Sequence, residues 1–186
     1  MSPFEYITVL ISIILGLGIT TILTGIAELI KQSRLFSLYT PYIIWIMLVF
    51  IMHIHEWWVT YALKSQVEWT LGKFLFVLLY PINLYVLAHL LFPAGLSSTF
   101  TSREFYLAKF PRWFIITIIL VILSVVHNLL LLKLPLQTQV PQVIVLAVLS
   151  TLVISKTKNS IVHIAVSLML LVLLVVSLII EPQTLY

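Results

Sequence analysis

Histidine and glutamate occur close together in one hydrophobic segment, in the string His53-Ile-His-Glu-Trp-Trp58. Histidine changes its charge near neutral pH and a neighbouring carboxylate can exchange protons with it, so this pair could handle a proton or an ion. At about 100° per residue on a helix, His53, Glu56 and Thr60 share one face, whereas His55 points almost to the opposite face. A zinc site built from His53, His55 and Glu56 therefore fails on geometry, and we predict no metal site.

Other polar side chains fall at a similar depth in neighbouring hydrophobic segments. When these segments are read as membrane-spanning helices, the outer half of the membrane holds a predicted binding pocket made of His53, Glu56, Asn83, His127 and Asn128. A polar side chain in hydrocarbon is costly unless it finds a partner, so each of these groups is a candidate. The structural alternative is a hydrated Glu56 near the membrane interface. The pocket predicts non-enzymatic handling or sensing of an ion, a proton or a small solute.

The histidines also offer an alternative function, electron transfer through haem b. Two axial histidines on separate helices can hold one haem, and the sequence pairs His53 with His127 in an outer layer and His89 with His163 in an inner layer. This pattern resembles the di-haem b-type membrane cytochromes, which also have six helices. The resemblance is confined to the number and depth of the histidines, and their placement differs because His163 lies on the last helix. We expect no cofactor, with haem b as the alternative.

The composition restricts the class of protein that can carry these groups. Of the 186 residues, 62% are hydrophobic and 9% are charged, whereas a soluble domain carries about 25% charged residues. The lipid bilayer is therefore the predicted partner of most of the surface. The chain has no cysteine, which excludes disulfides and thiolate sites, and its scattered basic residues predict no nucleic-acid partner.

Catalytic motifs are missing from the sequence, since no nucleophile–base pair or phosphate-binding loop can be recognised. An enzyme is therefore the less favoured class. A third interpretation is a sensing, scaffold or effector subunit of a membrane complex, whose partner would be another membrane subunit or a second copy of the chain.

Hydrophobic runs predict an all-α fold, a polytopic transmembrane bundle of about six spanning helices in a single domain, 1–186. A spanning helix needs about 20 mostly apolar residues. The predicted helices cover about 4–30, 41–62, 71–92, 111–132, 141–154 and 160–180. The first run lacks a basic region before it and is too long for a cleavable signal peptide, so we expect it to stay in the mature protein. The fifth run is short, and a re-entrant or tilted half-span is its alternative.

Start signals accompany several of these runs. Ser2 with Glu5 predicts a capping box at the first helix, and Thr40 and Thr70 are the predicted caps of the second and third. Between the third and fourth runs, Thr101 and Glu104 predict another capping box. The segment that follows Thr101 is interpreted either as a short amphipathic helix in the membrane interface or as a solvated loop.

Lysine and arginine predict the orientation, because cytoplasmic loops carry an excess of both. The connections after the first, third and fifth helices hold Lys31, Arg34, Arg103, Lys109, Arg112, Lys156 and Lys158. The opposite side holds Lys64, Lys73 and Lys133. The larger group predicts a cytoplasmic side, with the N-terminus and the C-terminus outside.

Helix one carries small and polar residues at regular intervals. One row, nearly all four residues apart, is Thr8, Ser12, Gly16, Thr20 and Thr24, and a second row is Gly18, Thr21, Gly25 and Glu28. Small residues at this spacing allow close helix packing, so we predict that helix one lies at the centre of the bundle. Glu28 lies within a turn of Lys31 and Gln32, which predicts a snorkelling ion pair near the cytoplasmic face.

Pro81 falls about half-way along the third helix. A proline at this position frees the carbonyl of Val77 and kinks the helix. Asn83 and Tyr80 are the predicted local replacement for the lost hydrogen bond. The alternative is that the break marks a transport site, as broken helices do in transporters.

The opening segment, Ser2-Pro-Phe-Glu-Tyr-Ile-Thr-Val-Leu-Ile-Ser-Ile-Ile-Leu-Gly-Leu-Gly-Ile-Thr20, resembles that of a group of small bacterial six-helix membrane proteins of uncharacterised function. The likeness extends to Trp57-Trp58 and to Phe76-Val-Leu-Leu-Tyr-Pro81. The resemblance implies a bacterial inner-membrane location. It implies no activity and no site residues.

Overall fold

A computed structural model describes residues 2–31, 38–66, 68–93 and 101–180. Within these ranges the chain forms six α-helices, namely α1 (Pro3–Lys31), α2 (Thr40–Val59), α3 (Leu71–Leu90), α4 (Ser102–Leu130), α5 (Val140–Ser155) and α6 (Ser160–Ile180). Short 3-10 helices follow α2 (Thr60–Ser65) and precede α5 (Leu136–Gln139). By length and composition all six are able to cross a membrane, α5 together with its preceding 3-10 turn. The predicted all-α, multi-pass membrane fold is therefore confirmed.

Capping interactions fix two of the helix starts. The backbone N–H of Ser2 donates to the Glu5 carboxylate at 2.8 Å, and the N–H of Glu5 donates to the Ser2 hydroxyl at 3.2 Å. This is the predicted capping box. The Thr70 hydroxyl accepts from the N–H of Lys73 at 3.3 Å, as predicted.

The predicted cap at Thr40 is wrong. Helix α2 already includes Thr40, the cap position is Tyr39, and no side chain caps this helix start. A tertiary contact organises it instead, because the N–H of Tyr39 donates to the Ser102 hydroxyl of α4 at 2.9 Å.

Helix α4 begins nine residues earlier than the predicted start at 111. It runs for 29 residues from Ser102 with Pro111 inside it, and Thr101 makes no side-chain cap. The predicted capping box, and the interpretations as an interfacial helix or a solvated loop, are therefore wrong for this part of the segment. The reason is burial, since Tyr106 and Phe110 are 0% and 1% exposed and pack inside the bundle. The residues numbered 94–100 lie outside the described ranges.

Helix α2 lies at the centre of the bundle, and the prediction that helix one does so is wrong. Helix α2 packs against α1, α3, α4 and α6, whereas α1 packs mainly against α3 and α2. Side chains from more than one face of α2 are buried, among them Tyr42, Ile44 and Leu48. On α1, Thr20 and Thr24 are exposed. The small-residue row therefore faces outward over part of its length.

The helices run alternately in opposite directions. The Lys31 end of the bundle, which holds the last turns of α1 and α3, also holds the beginning of α2, α4 and α6. Three contacts show this arrangement: Tyr42 to Leu91, Trp113 to Leu90, and Tyr106 to His163. At the other end, which we call the Ser2 end, Phe4 of α1 contacts Tyr61 after α2. With six crossings, α1 begins and α6 ends at the Ser2 end.

Aromatic side chains from α2 and α4 form the core at the Lys31 end. The rings of Trp45 and Phe114 stack with centroids 5.0 Å apart, and those of Tyr42 and Trp113 at 5.9 Å. Two of these residues also complete the end of α3, where the final carbonyls of a helix have no partner of their own. The Trp113 indole N–H donates to the Leu90 carbonyl at 2.9 Å, and the Tyr42 hydroxyl to the Leu91 carbonyl at 2.7 Å.

Pro81 is buried inside an α3 that is continuous from Leu71 to Leu90. The Asn83 amide donates to the carbonyl of Leu79 at 2.7 Å. The predicted replacement for the Val77 hydrogen bond by Asn83 is therefore wrong, because the amide reaches the carbonyl four residues before it and not the one freed by the proline.

Candidate functional site

His53 is fully buried where α1 and α2 meet. Its Nδ1 donates to the carbonyl of Val49, one turn earlier on α2, at 2.7 Å. This bond assigns the ring proton to Nδ1 in the neutral form, so Nε2 carries a lone pair. The Nε2 atom is buried and has no hydrogen-bond partner in the described part of the chain.

Gly18 of α1 makes this burial possible. A Cβ atom at residue 18 would overlap Nε2 of His53 and would lie only 2.6 Å from its Cδ2 atom. The imidazole thus rests directly on the backbone of α1, and any side chain at this position would force the two helices apart. The sequence singled out both residues, Gly18 in a row of small residues and His53 in the predicted pocket. It did not predict that the two residues are in contact.

Glu56 continues the same face of α2 towards the Ser2 end. It is 9% exposed, and the Thr60 hydroxyl donates to its backbone carbonyl at 2.7 Å. On α3, Tyr80 lies close enough to Glu56 to interact with it electrostatically. The face predicted from the helical spacing of His53, Glu56 and Thr60 is therefore buried between neighbouring helices. The alternative interpretation, a hydrated Glu56 at the membrane interface, does not agree with this burial.

The other predicted pocket residues direct their hydrogen bonds elsewhere. The Asn128 amide donates to the side chain of Gln139, in the 3-10 turn before α5, at 2.9 Å. Gln139 is itself buried and donates to Thr138 at 2.7 Å. Asn83 is bound to its own helix, and His127 lies half-buried in the last turn of α4. The hydrogen bonds of Asn128 and Gln139 organise the connection from α4 to α5.

His163 forms a second buried polar centre, at the Lys31 end. Its Nδ1 contacts the Tyr106 hydroxyl at 3.1 Å, and its Nε2 contacts the carbonyl of Thr157 at 2.8 Å. Its ring packs edge-on against Phe110 with centroids 4.6 Å apart. The sequence missed the Tyr106 partner, because the residue was assigned to a surface segment.

Of the four histidines predicted for haem, the structure holds His53, His89 and His163 in contacts with protein groups, and His127 lies half-buried in the last turn of α4. An axial ligand needs a free ring nitrogen and open space in front of it. Both ring nitrogens of His163 are bound to protein groups, and the free Nε2 of His53 faces the backbone of Gly18. His89 is exposed and bound to the Tyr85 hydroxyl through Nε2.

No group of three or more His, Asp or Glu side chains among the residues that the structure describes comes together as a metal site.

Comparison with protein-family models, with curated proteins and with solved structures finds no match to the chain. The function is therefore inferred from the geometry of the chain's own residues. The centre formed by Gly18, His53 and Glu56 combines a buried basic nitrogen, a buried carboxylate and a closely packed helix contact. Such an arrangement can accept a proton, and it can couple that proton to the packing of α1 on α2.

Proposed function

We propose that this multi-pass membrane protein handles or senses protons, in a bacterial inner membrane, through His53 and its contact with α1. The observation that carries the proposal is the unpartnered, fully buried Nε2 of His53, which rests on Gly18. Neighbouring Glu56 supplies a carboxylate on the same helix face. Proton handling is the narrowest form of the ion, proton or small-solute function that the sequence predicts.

Protonation of His53 has a structural consequence. The added proton gives Nε2 an N–H group that points at the α1 backbone, and a buried charged donor without an acceptor is strongly unfavourable. The neutral ring suits the closed contact, whereas the protonated ring requires α1 to move or water to enter. Proton binding is thereby coupled to the separation of α1 and α2.

Few other ionisable groups face this centre from the surrounding helices. Helix α1 has no ionisable side chain between Tyr6 and Glu28. Helix α3 contributes Tyr80 beside Glu56, and the sole ionisable residue of α6, His163, is bound to Tyr106 and Thr157. His53 and Glu56 are therefore the charged groups that we assign to this contact.

A distance measurement between α1 and α2 tests the proposal. The chain has no cysteine, so spin labels can be attached at Ile13→Cys and Ile54→Cys, two exposed positions on these helices. We expect the label separation to increase reversibly between pH 8 and pH 5 in reconstituted protein. His53→Asn should abolish the change, because asparagine can keep the hydrogen bond to the Val49 carbonyl but cannot titrate.

The matched control is His89→Asn, which removes an exposed histidine and should leave the response intact. A pH-sensitive dye inside liposomes measures proton flux through the reconstituted protein. We expect His53→Asn and Glu56→Gln to abolish this flux or its dependence on pH. A label separation that is independent of pH, or a response that persists in His53→Asn, would refute the proposal.

A further inference from the structure

A groove separates α1 and α3 near the Lys31 end, apart from the His53 centre. It encloses about 650 Å³. Its apolar walls come from Leu17, Phe92 and Pro93, and the Phe92 ring packs directly against Gly25, where a Cβ atom would overlap it. The remaining lining is polar, and it consists of Thr20, Thr21, Thr24, Glu28, Tyr85 and His89.

Glu28 is the acidic side chain in the lining of this groove. It lies exposed in the last turn of α1, and the described residues show no ion pair between it and Lys31, whereas Gln32, the other predicted neighbour, lies outside the described ranges. Helices α1 and α3 both end beside the groove, and the C-terminal end of each helix carries a partial negative charge. A cation is favoured here by the carboxylate and by the end of α1, whereas the final carbonyls of α3 already accept hydrogen bonds from Trp113 and Tyr42.

The hydroxyl groups in the groove are hydrogen-bond acceptors. Thr20 donates its hydroxyl proton to the carbonyl of Gly16 at 2.8 Å, and Thr21 donates to that of Leu17 at 2.9 Å. The oxygen lone pairs of both hydroxyls remain available as acceptors. A ligand that suits this lining must therefore donate hydrogen bonds as well as carry positive charge.

We propose that the groove binds a membrane lipid through a primary ammonium headgroup, as in phosphatidylethanolamine. The ammonium group has three N–H donors for the Glu28 carboxylate and the threonine oxygens. The apolar walls and the exposed positions of Thr20 and Thr24 place the open side of the groove towards lipid, so an acyl chain can leave along Leu17. This inference is independent of proton handling at His53.

Native mass spectrometry of the purified full chain, in detergent with defined lipids, tests the assignment. We expect phosphatidylethanolamine to be retained about tenfold more tightly than phosphatidylcholine, because a charge-assisted hydrogen bond of this kind is worth about one order of magnitude in affinity. The headgroup nitrogen of phosphatidylcholine carries three methyl groups and has no N–H donor, whereas that of phosphatidylethanolamine has three. The comparison therefore probes the groove without any change to the protein.

Glu28→Gln should abolish this preference, since it removes the carboxylate charge and keeps the side-chain shape. The matched control is Glu104→Gln, an exposed carboxylate at the same end of the bundle on α4. It should retain the preference. Both positions are exposed, so both variants are expected to fold, and thermal unfolding should verify this.

Four results would overturn the inference. Equal retention of the two lipids would remove the donor requirement, and a preference that survives in Glu28→Gln would locate the binding elsewhere. Soluble ethanolamine that competes as well as the lipid would show that the walls take no acyl chain. A dimer that dissociates in Glu28→Gln would instead assign the groove to a second copy of this chain.

Discussion

Substitution of Gly18 by alanine is the sharpest test of the contact between α1 and α2. The added methyl group would overlap Nε2 of His53 and lie 2.6 Å from Cδ2, and real Cβ contacts are not this short. The imidazole is fully buried and tied to Val49, so it cannot swing away without losing its hydrogen bond. The helices must therefore separate locally.

The magnitude follows from two opposing terms. Overpacking of a tightly filled interior costs about 1–3 kcal/mol, and the loss of the Val49 hydrogen bond would add about 1 kcal/mol. Alanine gains about 1 kcal/mol over glycine within a helix. We expect Gly18→Ala to lower the free energy of unfolding by about 1–3 kcal/mol on balance.

Gly16 provides the matched control on the same helix. A Cβ atom there meets nothing within 4 Å, so Gly16→Ala should be neutral or stabilising by up to about 1 kcal/mol. Reversible unfolding in bicelles or mixed micelles measures both variants. A double-mutant cycle with His53→Ala should recover most of the Gly18→Ala cost, because the ring that blocks the methyl group is gone. Equal effects at the two glycines would refute the reasoning.

Three further substitutions test the polar contacts and the backbone. Tyr42→Phe leaves the Leu91 carbonyl at the end of α3 without its 2.7 Å partner and should cost about 1–3 kcal/mol of unfolding free energy; an unchanged stability would contradict this. Tyr106→Phe removes the hydroxyl 3.1 Å from Nδ1 of His163, with an expected loss of about 1 kcal/mol and a changed ¹⁵N shift of that nitrogen by NMR. Lys156 ends α5 with a φ of 49°, a left-handed conformation that is strained for any residue with a Cβ atom. Lys156→Gly should therefore raise the free energy of unfolding by about 1 kcal/mol, and a decrease would argue against a left-handed residue there.

Local signals in the sequence determined the number of the helices and their approximate bounds, except for the start of α4. Five of the six apolar runs are long enough by themselves to span hydrocarbon, and this requirement acts on each segment separately. The capping box of Ser2 and Glu5 and the cap at Thr70 were likewise predictable, because both partners lie within one turn of each other. The shared face of His53 and Glu56 follows from helical periodicity alone.

Tertiary structure decided everything that depends on which helix lies beside which. Hydrophobicity in a membrane protein does not distinguish lipid from protein neighbours, so the sequence could not place α2 at the centre or bury Tyr106 against His163. It listed Gly18 and His53 separately, and the groove of Glu28 and His89 joins the ends of two different helices. Side-chain shape and hydrogen-bond partners across helices, which a single chain segment does not contain, set these contacts.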